Sequence, residues 1–327
     1  MRWCPPSLLL GLPLAAAALP PPPGDLAALA MAGAGAALAD VDYRPRLNPA
    51  AGALASDRDD VHLRLAWSPG GRTPWPGDGE PVEDRRLLGG ELGLPHLPVS
   101  LGAFTQARFA RIQGPSGPDL VTREAWRIES GANVARLWVD RAGQGRRLGV
   151  GVSAKLVSLR LRAAREVIAT ADPARPPLDR IHDGRLDLDV GALGTWAFRW
   201  RGALVVRDLF AGAVPWPDGQ GRLADGPSAT AALAWRGPRL AWALDLDLTA
   251  RHRGLKGRER RLALGLAWAT SEHLTLRAGL APDLLGHGAP RLGGGARLRW
   301  RGLAVEGAVQ RQGPGGAFTA LGLDWAF

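Results

Sequence analysis

Leu240-Ala241-Trp242-Ala243-Leu244-Asp245-Leu246-Asp247-Leu248 decides the fold. Every second residue is large and apolar, and the positions between them carry alanine and aspartate. A strand sends successive side chains to opposite faces, so this stretch has one Leu/Trp face and one Ala/Asp face; a helix would smear both sets around its circumference. The pattern recurs. Leu186, Leu188 and Val190 oppose Asp187 and Asp189; Leu262, Leu264, Leu266 and Trp268 oppose Ala263, Gly265 and Ala267. Leu274, Leu276 and Leu280 oppose Thr275 and Arg277; Leu298 and Trp300 oppose Arg297 and Arg299; Leu303, Val305 and Val309 oppose Glu306 and Gln310. The chain reads as all-β.

Alternation leaves open which face meets water. In a soluble sandwich the leucine face is a dry core, whereas in a membrane barrel it meets lipid and the charged face lines a wet interior. Spacing decides for the barrel. Strands are expected near 57–67, 85–95, 97–111, 121–140, 146–162, 184–199, 201–211, 228–236, 238–250, 258–269, 272–281, 290–300, 302–312 and 316–327, about 14 in all and an even number. The breaks between them alternate between tight turns, such as Arg301-Gly302, Thr270-Ser271 and Gly237, and longer loops. Outer-membrane barrels have that asymmetry, with short turns in the periplasm. Trp67, Trp196, Trp200, Trp235, Trp268, Trp300 and Trp325 fall at or near expected strand ends, where aromatic girdles flank the lipid-facing band. Leu321, Leu323, Trp325 and Phe327 alternate to a final aromatic, which resembles the C-terminal signal read by the barrel assembly machinery of the bacterial outer membrane.

Composition excludes other classes. The chain has 327 residues, 46% of them apolar and 22% charged, so it can bury surface and should fold. Its one cysteine, Cys4, excludes a disulfide framework and any cysteine-based zinc site. The 12-residue apolar run from Leu8 to Leu19 contains Pro13 and falls short of the roughly 20 residues of a spanning helix. The net charge of +10 comes from scattered arginines with only Lys155 and Lys256 beside them, so nucleic acid is not an expected partner.

Arg2, the apolar stretch around Leu8-Leu9-Leu10 and the small residues Ala15 to Ala18 form the three parts of a secretory signal, expected over 1–18. A barrel of fourteen strands is too wide for inward Gly and Ala to fill. Residues 19–56, small and poor in strand pattern, are expected to plug it, with 57–327 as the transmembrane barrel. Gly33 and Gly35 let the backbone pass close to the wall, and Asn48-Pro49 marks a turn.

Ala30-Met31-Ala32-Gly33-Ala34-Gly35-Ala36-Ala37-Leu38-Ala39-Asp40, followed by Asn48-Pro49-Ala50, resembles the N-terminal region of the FadL superfamily of outer-membrane barrels. Leu148-Gly149-Val150-Gly151-Val152-Ser153-Ala154-Lys155-Leu156, Leu188 to Leu193 and Leu204 to Leu209 look like its PorV-like and conjugal-transfer TraF-like branch. The acidic pair of that family is here Asp40-Val41-Asp42, and the chain is shorter than its fatty-acid transporters. The resemblance implies a plugged fourteen-stranded barrel that moves small hydrophobic molecules passively. Its alternative is a non-transporting scaffold or partner in a secretion or conjugation system. Gly and Ala on inward faces are expected to leave room for an apolar guest.

The inward charges Asp187, Asp189, Asp245, Asp247, Arg277, Arg297, Arg299 and Glu306 are expected to pair across the lumen or hold the plug. The basic loop carrying Arg251, Arg253, Lys256, Arg258, Arg260 and Arg261 is expected outside the cell, solvated or facing lipopolysaccharide phosphates beside the outer-membrane lipid. The six histidines show no paired ligand spacing, and no nucleophile, base and orienter assemble, so neither metal, cofactor nor catalysis is expected. Gly293-Gly294-Gly295 lacks the Lys-Ser or Lys-Thr of a phosphate loop and reads as a thin stretch of wall.

Overall fold

The computed structural model describes residues 17–18, 25–39, 44–54, 61–71, 82–94, 100–116, 119–141, 145–167, 179–217, 222–224, 226–253, 258–286, 290–312 and 317–326. Its wall consists of β1 (His62–Gly71), β2 (Val82–Leu94), β3 (Ser100–Ser116), β4 (Asp119–Arg141), β5 (Arg146–Val167), β6 (Asp179–Trp196) and β7 (Trp200–Arg207). It continues with β8 (Ser228–Arg236), β9 (Leu240–Asp247), β10 (Leu262–Ala269), β11 (Leu274–Ala281), β12 (Arg291–Trp300), β13 (Leu303–Gln312) and β14 (Ala317–Ala326). Each strand pairs antiparallel with its sequence neighbour, and β14 returns to β1 through Leu321 opposite Trp67 and Trp325 opposite Leu63. The sheet closes.

Alternation sets the outer surface. Leu264, Leu266 and Trp268 on β10, Leu298 and Trp300 on β12 and Leu321, Leu323 and Trp325 on β14 are all exposed, while Asp245, Arg297, Glu306 and Asp324 are buried inside. A soluble protein does not expose so continuous an apolar belt. Hydrocarbon takes the place of water there. Trp196, Trp268, Trp300 and Trp325 ring the end with the tight turns, whereas Trp67 stands mid-strand opposite Leu88 and Leu321.

Strand lengths are uneven, and this departs from the expected boundaries. β4 has 23 residues and β5 has 22, while β7, β9, β10 and β11 have 8 each. The wall is tall on one side because β3 and β4 continue their pairing as far as Ser116 and Asp119, where a loop had been expected. β9 stops at Asp247, where Arg260 and Arg261 bond to it and end the ladder. Ala17–Ala18, at the end of the expected signal, pair in parallel with His252 and Arg253.

The lumen is plugged. Helix α1 (Leu26–Ala30), a 3-10 turn (Ala36–Leu38) and helix α2 (Ala51–Leu54) lie inside the barrel. Asp25 caps α1 by accepting the N–H of Ala28 at 2.8 Å. α1 packs on β11 to β14, the 3-10 turn on β7 to β9 and α2 on β3 to β5, so the plug touches three arcs of the wall.

Candidate functional site

The plug sits close to the wall because the wall is thin where it passes. Gly265 and Gly279 face Met31, Gly293 faces the backbone of Leu29 to Ala32, Gly295 faces the Ala30 side chain, and Gly151 and Gly191 face Asn48 and Pro49. A side chain at Gly151 or Gly279 would overlap plug backbone. These glycines therefore admit the plug close to the wall. Gly33 and Gly35 have φ of +110° and +137°, values that a side chain resists.

Polar bonds fix the plug in register. Asn48, fully buried, donates to the carbonyl oxygens of Ala36 at 3.3 Å and Ala192 at 3.2 Å and accepts the N–H of Ala50 at 2.9 Å. Asn133 on β4 donates to the Pro49 carbonyl at 2.9 Å. Asp245 accepts the N–H groups of Gly35 and Ala36 at the start of the 3-10 turn. Arg44 of the plug pairs with Asp25 and, at 3.1 Å, with Glu306, which also takes Arg277. Arg297 donates to Asp324 at 2.8 Å, and Arg64 joins them from β1. Burial by itself would raise the Asp25 carboxyl, but the Arg44 guanidinium, helped by Arg64, holds it below the ordinary carboxylate range.

A second cluster joins the plug to the end of the barrel opposite the tight turns. Arg46 of the plug reaches Glu129 at 2.8 Å; Glu129 pairs with Arg127, which reaches Asp208 at 2.6 Å. Lys155 bonds to Asp208 at 2.6 Å and Asp189 at 2.7 Å. Asp189 and Asp187 in turn accept the N–H groups of Asp208 and Phe210, tying the loop after β7 to β6.

The structure thus brings Asp245 and Glu306 to the plug, Asp187 and Asp189 to a loop, and Arg277 and Arg297 into pairs with Glu306 and Asp324. Asp247 is half-buried at the end of β9, where it accepts the Arg261 N–H at 3.3 Å. Arg299 faces inward by parity but is exposed, lining a cavity of about 230 Å³ between the plug and the tight turns with Arg236, Arg239 and Met31. Asp40, Lys256 and Phe327 lie outside the described residues, and of Arg251, Arg253 and Arg258 only the backbone is described. The basic loop loses two free cations. Arg260 donates to the Asp247 carbonyl at 2.8 Å, and Arg261 pairs with Glu259. Among the described residues no group of three His, Cys, Asp or Glu could hold a metal ion.

Sequence reasoning missed Asp25, Arg44, Arg46, Arg127, Glu129 and Asp208. Only Asp25 carries a local signal, as an N-cap before Leu-Ala-Ala-Leu-Ala.

The inner wall changes character toward the end opposite the tight turns. Along β5 the inward residues run Gly149, Gly151, Ser153, Lys155, then Val157, Leu159, Leu161 and Ala163, all buried. Val214, Trp216 and Leu223, from a hairpin formed by Ala213–Pro215 and Arg222–Ala224 in the loop after β7, pack on this apolar end with Ala125. The wall is closed by fourteen strands, plugged from its N-terminal side and apolar within at the end opposite the tight turns.

This is the fold of FadL-type barrels. The chain is similar to the Pseudomonas putida toluene transporter TodX, with a TM-score of 0.60 and 12% identity over 92% of this chain and 97% of that one. It is similar to the Ralstonia pickettii toluene transporter TbuX at TM-score 0.59 and 11% identity, covering 92% and 96%. A Pseudomonas aeruginosa FadL homologue gives 0.54 and 14%, covering 96% and 98%. No protein-family model matches the sequence, and no curated protein does. Identities this low establish a shared fold only.

Proposed function

We propose that this chain is a bacterial outer-membrane channel for passive passage of small hydrophobic molecules, held closed by its plug. The observation that carries the reading is the apolar inner wall of Val157, Leu159, Leu161 and Ala163 beneath Trp216. A barrel that only passes water-soluble molecules has a polar interior. Such a patch suits an aromatic or alkyl guest, and the names of TodX and TbuX as toluene transporters support that chemistry. Passage requires the hairpin and the plug to move, because the plug fills the lumen between three arcs of wall.

Residues 1–18 serve as the secretory signal in this account, and Leu323, Trp325 and Phe327 as the mark read during barrel assembly. The test is uptake of radiolabelled toluene by a deletion strain carrying the wild type or the double variant Leu159→Asp, Leu161→Asp, with heat-modifiable migration confirming a folded barrel. Restored uptake with the wild type and loss with the variant are expected. Uptake unchanged by deletion removes the transport reading.

A second reading has its own support. A lumen occupied by plug and ion pairs suits a scaffold in a secretion or conjugation system, toward which the PorV-like and TraF-like stretches point. Co-purification of secretion components together with unchanged uptake distinguishes it.

A further inference from the structure

The outer surface of the tall wall ends its apolar belt at a defined height. Outward residues of β5 run Val150, Val152, Ala154, Leu156, Ser158, Arg160 and Arg162; those of β6, read the same way, run Val190, Leu188, Leu186, Gly184, His182 and Arg180. On β4, exposed Trp138 and Trp126 bracket the belt. With a rise of about 3.3 Å per residue and a tilt of about 40°, the twelve steps between them span about 30 Å. That places Trp126 just beyond an apolar band of about 25 Å, at the level of the outer headgroups.

Register fills this level with cations. Trp126 stands opposite Arg160, and Arg160 opposite His182. One row higher Arg162 stands between Glu124 and Arg180. Arg160, Arg180 and His182 are exposed, and Arg162 is half-buried. Among the described side chains this level carries Arg160, Arg162, Arg180 and His182, on the outside of the barrel and continuous with the lipid-facing surface.

We propose that this patch, Arg160, Arg162, Arg180 and His182 beside Trp126, is a docking surface for a phosphorylated glycolipid of the outer leaflet, the bisphosphorylated lipid A of lipopolysaccharide. Guanidinium forks match phosphate oxygens bidentately, and a tryptophan at the interface packs its ring on the sugar and the upper acyl chain. The site is the outside of the wall. It rests on the membrane-spanning barrel and is independent of transport, so failure of the uptake test leaves it standing.

The test uses the full-length barrel in mild detergent, titrated separately with bisphosphorylated lipid A, dephosphorylated lipid A and inorganic phosphate. The wild type is expected to bind the bisphosphorylated lipid at least tenfold more tightly than either other probe. Arg160→Gln with Arg180→Gln abolishes that preference, whereas Arg146→Gln with Arg301→Gln, which removes equal charge at the periplasmic rim, keeps it. Heat-modifiable migration confirms that both variants fold. Equal binding of the two lipids, inorganic phosphate binding as tightly as the lipid, or a preference that survives in the Arg160, Arg180 variant would each overturn the proposal.

Discussion

The Asp245 carboxylate accepts the backbone N–H of Gly35 at 3.1 Å and of Ala36 at 3.0 Å, so a wall residue 210 positions away caps the turn at the centre of the plug. Hydrogen bonds to a charged group are worth about 1.5–3 kcal/mol each, and removing their acceptor leaves two buried donors unmade. Asp245→Ala is expected to lower barrel stability by about 2–4 kcal/mol. It is also expected to raise ion conductance in planar bilayers, and an unchanged current would show that the plug does not depend on this contact.

Glycine at the wall gives a paired comparison. Gly279→Leu and Gly151→Val put side chains into the backbone of Met31 and the Pro49 carbonyl, so the plug must shift. Gly294, which stands between Ala278 and Val309 in the wall, would bring an added Cβ no nearer than 3.9 Å to Val309 and into no plug contact. Gly294→Ala is expected to match the wild type in conductance and heat-modifiable migration, while the other two variants conduct and melt earlier. Overpacking of this kind costs about 1–3 kcal/mol or more.

Lys155 neutralises two carboxylates at once. Lys155→Met leaves Asp189 without the ammonium that it now holds at 2.7 Å and takes from Asp208 one of its two cations. Losing one partner of a buried ion pair costs about 3–5 kcal/mol. The loop after β7 is expected to release, seen as faster proteolysis near Phe210, and Lys155→Arg is expected to keep most of the protection.

The Asp25–Arg44 contact that holds the plug should survive mild acid. Asp25 is buried, which works to raise its pKa, yet Arg44 and then Arg64 bring it below the ordinary value. A depressed carboxylate contributes stability that is complete above its unfolded pKa of about 4 and is lost as pH falls through the lower folded value. The Asp25 contribution to plug stability, read as the difference in conductance between the wild type and Asp25→Asn, is therefore expected to persist from pH 7 to pH 5 and to vanish only below about pH 4. Asp25→Asn removes that contribution at every pH, which flattens the profile.

The wall was legible because one rule, period two, is written into each strand separately: Leu262 to Trp268 needs no partner to reveal its faces. Strand ends were less so. Ser116 and Asp119 pair because β3 and β4 support each other, and no local residue announces that. The thin wall at Gly293-Gly294-Gly295 was readable as thin, but what fills it was not, since the plug residues that meet it, Leu29 to Ala32, lie more than 250 residues earlier in the chain. The ion pairs were hidden for the same reason: Lys155 and Asp208 are 53 residues apart and meet only through the registers of β5, β6 and β7.

Leucines in lipid and charges within make this an inverted barrel. Spin labels placed singly by cysteine substitution from Leu262 to Trp268, in bilayers, test it most directly through collision rates with oxygen and with a polar nickel complex. Oxygen access should peak at residues 262, 264, 266 and 268 and fall at 263, 265 and 267, with the nickel complex low at every lipid-facing position. High nickel access at Leu264 and Leu266, or no alternation at all, would contradict the account.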